Sequence, residues 1–269
     1  MRIGISSYTY TWAAGVPGSE PGNPLTHRAI IDRAVSLGVP LVQICENMAL
    51  DRLAGGELEG LAAYAKSKGV SIQPGTRGVS LEHLRKFLGI ALKFGSNIVR
   101  TIADTNEHKP GREEIADLLR LAAPEYEKAG VRLALENHDR LSTRDFAWIM
   151  KSVRHPSVGI CLDTVNSFGS LEGPEIVIER LVEYIVNLHV KDFRIDREPS
   201  KMGFRIEGMP AGKGRLDIPG LFAAIAGLDR DVDAILELWT PRQESVEATV
   251  KLESEWAEQS VEYLKRSVT

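Results

Sequence analysis

Apolar residues in this chain gather into eight short runs, separated by segments in which apolar positions recur every three or four residues. The runs cover 3–7, 41–45, 70–73, 97–102, 132–136, 159–163, 184–190 and 234–238. Near-continuous apolar runs of this length read as strands covered on both faces, and the 3.6-residue spacing between them reads as amphipathic helix. The predicted helices span 26–37, 57–68, 80–94, 113–128, 143–153, 176–183, 219–226 and 245–265. Their ends carry matching signals: Thr26 and Ser80 stand at N-cap positions, and Gly38, Gly69, Gly95 and Gly130 follow last turns.

Strand and helix alternating eight times in 269 residues is the pattern and size of an α/β (β/α)8 TIM barrel, expected as one domain over 1–269. An open doubly wound sheet is the competing arrangement. It lacks its signature here, because Ser6-Ser-Tyr-Thr-Tyr follows the first run where a Gly-x-Gly-x-x-Gly turn would bind a dinucleotide. Neither a linker nor a low-complexity tract interrupts the pattern. Two long connections, 10–25 and 191–216, are expected as loops that rise over the C-terminal face as lids or substrate walls.

The ends of the last four runs carry the candidate chemistry. Glu136 closes Leu133-Ala-Leu-Glu, Asp163 closes Val158-Gly-Ile-Cys-Leu-Asp, His189 closes Ile185-Val-Asn-Leu-His, and Glu237 closes Ala234-Ile-Leu-Glu. A barrel brings adjacent strand ends together, and burying three carboxylates with an imidazole is costly unless a cation joins them. One divalent ion is therefore expected. The oxygen-rich donor set favours Mn2+ or Mg2+, with Co2+ and Zn2+ as alternatives. A structural ion-pair network is the competing explanation, since carboxylates at barrel mouths also pair with arginine.

Composition narrows the function by exclusion. A net charge of −4 gives no general attraction to nucleic acid or to an anionic membrane surface. No apolar stretch approaches membrane-spanning length and Met1 leads straight into a strand, so a cytoplasmic location is expected. Cys45 and Cys161 lie inside apolar runs and read as buried thiols. A metallonuclease would cluster more imidazoles; of six histidines, only His138 and His189 stand at strand ends. A non-catalytic sugar-binding module has no need of four metal ligands.

Basic side chains accumulate around the acidic cluster. Arg77 follows the third run, Arg100 lies in the fourth, Arg140 closes Glu136-Asn-His-Asp-Arg, and Lys191 and Arg194 open the seventh loop. Guanidinium groups at such positions suit a carboxylate or phosphate better than a neutral sugar; solvated surface charge is the alternative for the loop residues. Glu46, ending the second run, reads either as a hydroxyl-binding group or as an arginine partner. Trp12 reads as a pocket wall, and the amphipathic C-terminal segment as a candidate surface for a homo-oligomer.

Three strings carry a family resemblance: Cys161-Leu-Asp-Thr-Val-Asn-Ser-Phe-Gly, Asn187-Leu-His-Val-Lys-Asp and Gly212-Lys-Gly-Arg-Leu-Asp. With them the whole chain resembles the xylose isomerase-like TIM barrels of sugar isomerases and epimerases. The resemblance implies a divalent metal held by Glu136, Asp163, His189 and Glu237, with the two glutamates doubling as proton donor and acceptor. It also implies a small sugar or sugar acid as substrate, with Asn166 among the substrate contacts.

Longer strings, among them Glu136-Asn-His-Asp-Arg and Ile235-Leu-Glu-Leu-Trp-Thr-Pro, are similar to a narrower group, the 3-oxo-isoapionate decarboxylases. That likeness implies CO2 loss from a 3-oxo sugar acid through a metal-stabilised enediolate. An arginine would hold the carboxylate, and Glu136, His138 or water would return the proton. Ketose isomerisation or epimerisation passes through the same enediolate and stays open as the alternative.

Overall fold

A computed structural model describes residues 1–228 and 230–268. The strands are β1 (Ile3–Ser6), β2 (Leu41–Ile44), β3 (Ser71–Arg77), β4 (Ile98–Ile102), β5 (Arg132–Glu136), β6 (Val158–Asp163), β7 (Ile185–Val190), β8 (Asp192–Arg197), β9 (Phe204–Met209) and β10 (Asp233–Leu236). Eight of them close a parallel barrel in the order β1-β10-β7-β6-β5-β4-β3-β2. The helices are α1 (Thr11–Ala14), α2 (His27–Leu37), α3 (Gly55–Ser67), α4 (Leu81–Phe94), α5 (Arg112–Lys128), α6 (Thr143–Val153), α7 (Pro174–Leu181), α8 (Ile218–Ala226) and α9 (Val246–Val268). The expected (β/α)8 architecture is the observed one.

Helix α4 shows how the pattern becomes structure. Leu84, Phe87, Leu88 and Ala91 recur on one face and are buried against the sheet, each large side chain contributing about 1.5–3 kcal/mol. Ser80 accepts a hydrogen bond from the His83 amide at the start, and Gly95 adopts a left-handed conformation (φ 62°) that ends it. Thr26 and Gly38 frame α2 in the same way.

Three segments differ from expectation. The third strand extends to Arg77, through Pro74 and Gly75. Proline is tolerated there because the ladder to β2 ends at Pro74 and the ladder to β4 begins at Gly75, so no neighbour requires the missing N–H. The 10–25 connection holds α1. The 191–216 connection is no bare loop: it contains the antiparallel hairpin β8–β9, paired from Asp192↔Met209 to Arg197↔Phe204.

One carboxylate organises the base of that hairpin. Asp192 Oδ1 accepts from the amides of Phe193 (2.8 Å) and Leu216 (3.0 Å), and Oδ2 from those of Gly212 (2.9 Å) and Gly214 (2.8 Å). Glycine is required at 214, where a Cβ would stand 2.1 Å from Asp192 Oδ1 and 2.4 Å from the Phe193 carbonyl oxygen. The aspartate after Lys191 and the glycine-rich string are thus two halves of one turn.

A second buried carboxylate anchors the first connection. Glu253 of α9 accepts from the amides of Trp12 (3.0 Å) and Ala13 (3.1 Å). Burial pushes its carboxyl up to about 7, against the lowering effect of those amides.

Asp192→Ala should orphan four amides and cost about 3 kcal/mol or more in urea unfolding. Glu253 holds its proton more tightly in the folded than in the unfolded chain. Its contribution to stability is therefore greatest below its unfolded value and declines as pH rises from about 4.5 to about 7. Glu253→Gln should lose that slope, so denaturation series at pH 4.5 and 8 must show the stability difference between the two proteins changing.

Candidate metal centre and substrate cavity

Because β5, β6, β7 and β10 are successive neighbours in the barrel, their C-terminal ends stand side by side. Glu136 and Asp163 are the last residues of β5 and β6, His189 is next to last in β7, and Glu237 follows β10 directly. Registers Asp163↔His189 and Ile235↔His189 level these ends. All four side chains are buried.

They converge on one imidazole nitrogen. His189 Nδ1 lies 3.3 Å from Glu136 Oε2, 3.4 Å from Glu237 Oε1 and 3.6 Å from Asp163 Oδ2. Three of these atoms, His189 Nδ1, Glu237 Oε1 and Asp163 Oδ2, are buried without a hydrogen bond. Buried polar atoms are rarely left so. Three orphans facing one another are the donor set that a divalent cation satisfies, and the candidate ligand atoms of Asp163, His189 and Glu237 lie within 4.8 Å of one another. Cys161 Sγ lies within the same 4.8 Å of ligand atoms of Glu136 and His189. It suits the role less, because burial pushes its thiol up and its S–H donates to Asn187 Oδ1 at 3.4 Å.

The acids are held in place by cations. Lys191 Nζ is 2.8 Å from both Asp163 Oδ2 and Glu237 Oε2; with Asp163 this is a charge contact outside hydrogen-bond geometry. Arg100, buried in β4, joins Glu136 through Nε and Glu46 through Nη1, the latter at 2.7 Å. Burial alone would raise the Glu237 and Asp163 carboxyls. The neighbouring positive groups, chiefly His189 and Lys191 for Glu237 and Lys191 for Asp163, hold both below their ordinary values. Burial would likewise lower His189, and the Glu237 and Glu136 carboxylates reverse it.

Above this floor opens a cavity of ≈310 Å³. Trp12, Glu46, Arg77, Arg100, Glu136, His138, Asn166, Lys191 and Glu237 all line it. Asn166 donates to Glu136 Oε1 (2.7 Å) and accepts from Lys191 (3.2 Å). His138 contacts Asp139 through Nδ1. Trp12 is fixed by its indole N–H on the Thr240 carbonyl (2.9 Å).

Two expectations change. Arg194 is absent from the cavity wall: it lies on β8 and pairs with Glu207 (2.6 Å) and Asp196 (3.0 Å) across the exposed hairpin, because the hairpin carries it away from the mouth. Arg100 lines the cavity, yet Nε and Nη1 are committed to Glu136, Glu46 and the Thr76 carbonyl (3.1 Å). It thus reads as a support for the acids. Arg77, about one-third exposed and 3.6 Å from Glu46, is the freer guanidinium.

Sequence reasoning missed Gln43, whose Oε1 lies 2.6 Å from His189 Nε2; Tyr8, whose hydroxyl donates to Glu46 (3.1 Å), also lines the cavity. An amide in the middle of an apolar run was the available signal for Gln43.

Comparison with known proteins shows the family and the fold. The chain is 36% identical to 3-oxo-isoapionate decarboxylase of Pectobacterium atrosepticum over 264 residues, 98% of this chain and 95% of that protein. Its fold matches D-psicose 3-epimerase with D-tagatose from Clostridium cellulolyticum H10 (TM-score 0.75, 14% identity, 100% of this chain and 99% of that one). It also matches a xylose isomerase-like TIM barrel protein from Mycobacterium smegmatis in complex with magnesium (TM-score 0.72, 16% identity, 100% and 98%). The model of the xylose isomerase-like TIM barrel family matches residues 31–267. The protein belongs to the xylose isomerase-like TIM barrel family, and its relatives include sugar-processing enzymes.

Proposed function

We propose that this protein is a divalent-metal-dependent decarboxylase acting on a small 3-oxo sugar acid of the 3-oxo-isoapionate type. The observation that carries the reaction is the 36% identity with the Pectobacterium decarboxylase across 98% of the chain. The three buried orphan atoms at the cavity floor support a metal; the oxygen-rich donor set favours Mg2+ or Mn2+, and the Mycobacterium protein of the same fold is in complex with magnesium. Glu136, Asp163, His189 through Nδ1, and Glu237 would hold the ion. A divalent ion there supplies Lewis-acid chemistry, polarising a substrate oxygen and offsetting negative charge as it develops.

The residues of the chain divide the remaining work. In a 3-oxo acid the bond from the carboxylate carbon to C2 breaks as CO2 leaves, and its electron pair passes into C2–C3, giving an enediolate. Arg77 binds the carboxylate before it leaves, since its guanidinium lines the cavity and, among the described residues, has only Glu46 and the Asp104 carbonyl oxygen as polar partners. Lys191 and Asn166 hold the acids of the floor in register and line the cavity beside them. His138 stands on the wall outside the ligand cluster and returns the proton to C2. Trp12 shields the cavity from water.

Sugar epimerisation or isomerisation is the second reading. It is supported by the fold shared with psicose 3-epimerase and by Glu136 and Glu237 both lining the cavity, as a donor and acceptor pair would.

The two readings part in D2O. Protein loaded with Mn2+ or Mg2+ should release CO2 from a 3-oxo sugar acid and leave one deuterium in the product, observed by NMR, with loss of turnover on chelation. Deuterium exchange into a neutral ketose without CO2 release would favour the second reading. Glu237→Gln should fold normally and lower kcat at least about a hundredfold. Arg77→Ala should raise KM for the sugar acid about tenfold to a hundredfold, the loss of a charged hydrogen bond, and leave KM for a neutral ketose nearly unchanged.

A further inference from the structure

The barrel interior beneath the acidic cluster is polar. Gln43 of β2, Gln73 of β3 and Asn187 of β7 are buried side by side, and their hydrogen bonds form a continuous chain. At the N-terminal mouth, Asp233 takes a bidentate pair from Arg2 (2.9 and 2.7 Å) and accepts from Gln73 Nε2 at 2.7 Å. Gln73 Oε1 accepts from Gln43 Nε2 (3.2 Å) and Asn187 Nδ2 (3.3 Å). Gln43 Nε2 also donates to Asn187 Oδ1 (2.9 Å), and Gln43 Oε1 meets His189 Nε2 at 2.6 Å.

The direction of every bond follows from one end. A carboxylate only accepts, so Gln73 must turn its NH2 toward Asp233 and its oxygen inward. That oxygen needs donors, so Gln43 and Asn187 present their NH2 groups to it. Gln43 then has only its carbonyl oxygen for His189, and Nε2 of the imidazole must carry a proton to meet it. Nδ1 is left facing the three carboxylates.

We infer that Gln43, Gln73, Asn187 and Asp233 are positioning residues that fix the tautomer and ring orientation of His189, so that Nδ1 is the atom offered to the metal. A metal-bound histidine commonly donates its second ring N–H to a carboxylate or carbonyl. Here an amide takes that place, and its direction is set by a carboxylate at the opposite mouth of the barrel. This inference rests on the metal centre proposed above.

Mn2+ affinity is the first readout, measured by titration of the wild type, Gln43→Met and Gln73→Met, with thermal unfolding as the check on folding. Gln43→Met keeps the bulk and removes the acceptor; affinity should fall about tenfold to a hundredfold. Gln73→Met does not touch His189, yet should weaken binding about tenfold by freeing the Gln43 amide to turn. The second readout is the 15N spectrum of His189 in the Mg2+-loaded wild type, which should show the proton on Nε2. Wild-type affinity in both variants, or a proton on Nδ1, would overturn the relay. A wild type that binds no Mn2+ would instead defeat the metal reading, so the two failures are distinguishable. Where a variant does not fold, the 15N spectrum of the wild type still decides which nitrogen carries the proton.

Discussion

The architecture of this site depends on the electrostatics of Glu136, Asp163 and Glu237, three carboxylates buried within contact of one imidazole nitrogen. Charge of one sign confined to a low-dielectric barrel mouth is unfavourable by itself. Lys191 and Arg100 offset it from two sides, and Asn166 takes one of the remaining lone pairs. After these partners are counted, unpaired atoms still face one another. The cations thus hold the acids in place and still leave unsatisfied atoms of Asp163, His189 and Glu237 at the floor of the cavity.

Much of this arrangement was legible in the sequence because two simple regularities carried it. Eight apolar runs alternating with helix-spaced segments specify a closed parallel barrel, and a barrel sends successive strand ends to one place. Glu136, Asp163, His189 and Glu237 could be grouped without any contact being known. The hairpin β8–β9 was hidden because its strands are largely exposed and rich in charges of both signs, so their composition resembles that of a loop. Pro74 concealed the end of β3, since whether a strand tolerates proline depends on which neighbour it pairs with at that residue.

Side-chain engagement was the harder level. Arg100 and Arg77 look alike in sequence, yet one is buried between Glu136 and Glu46 and the other faces the cavity. Arg194 stands three residues after Lys191, and the hairpin separates them: Lys191 reaches the acids and Arg194 does not. The inner amides were obscured for a different reason. Gln43 and Asn187 each interrupt an apolar run by one residue and Gln73 ends one, and only barrel closure shows that the three amides meet.

The anchoring of Trp12 by Glu253 has a consequence for the order in which the molecule is made. Residues 12 and 253 belong to opposite ends of the chain, and β1 finds one of its two strand partners only in β10. During synthesis the cavity wall that carries Trp12 lacks the Glu253 anchor until α9 has left the ribosome, although all eight barrel strands precede that helix in the chain. This wall of the cavity thus waits on a contact made across some 240 residues of sequence.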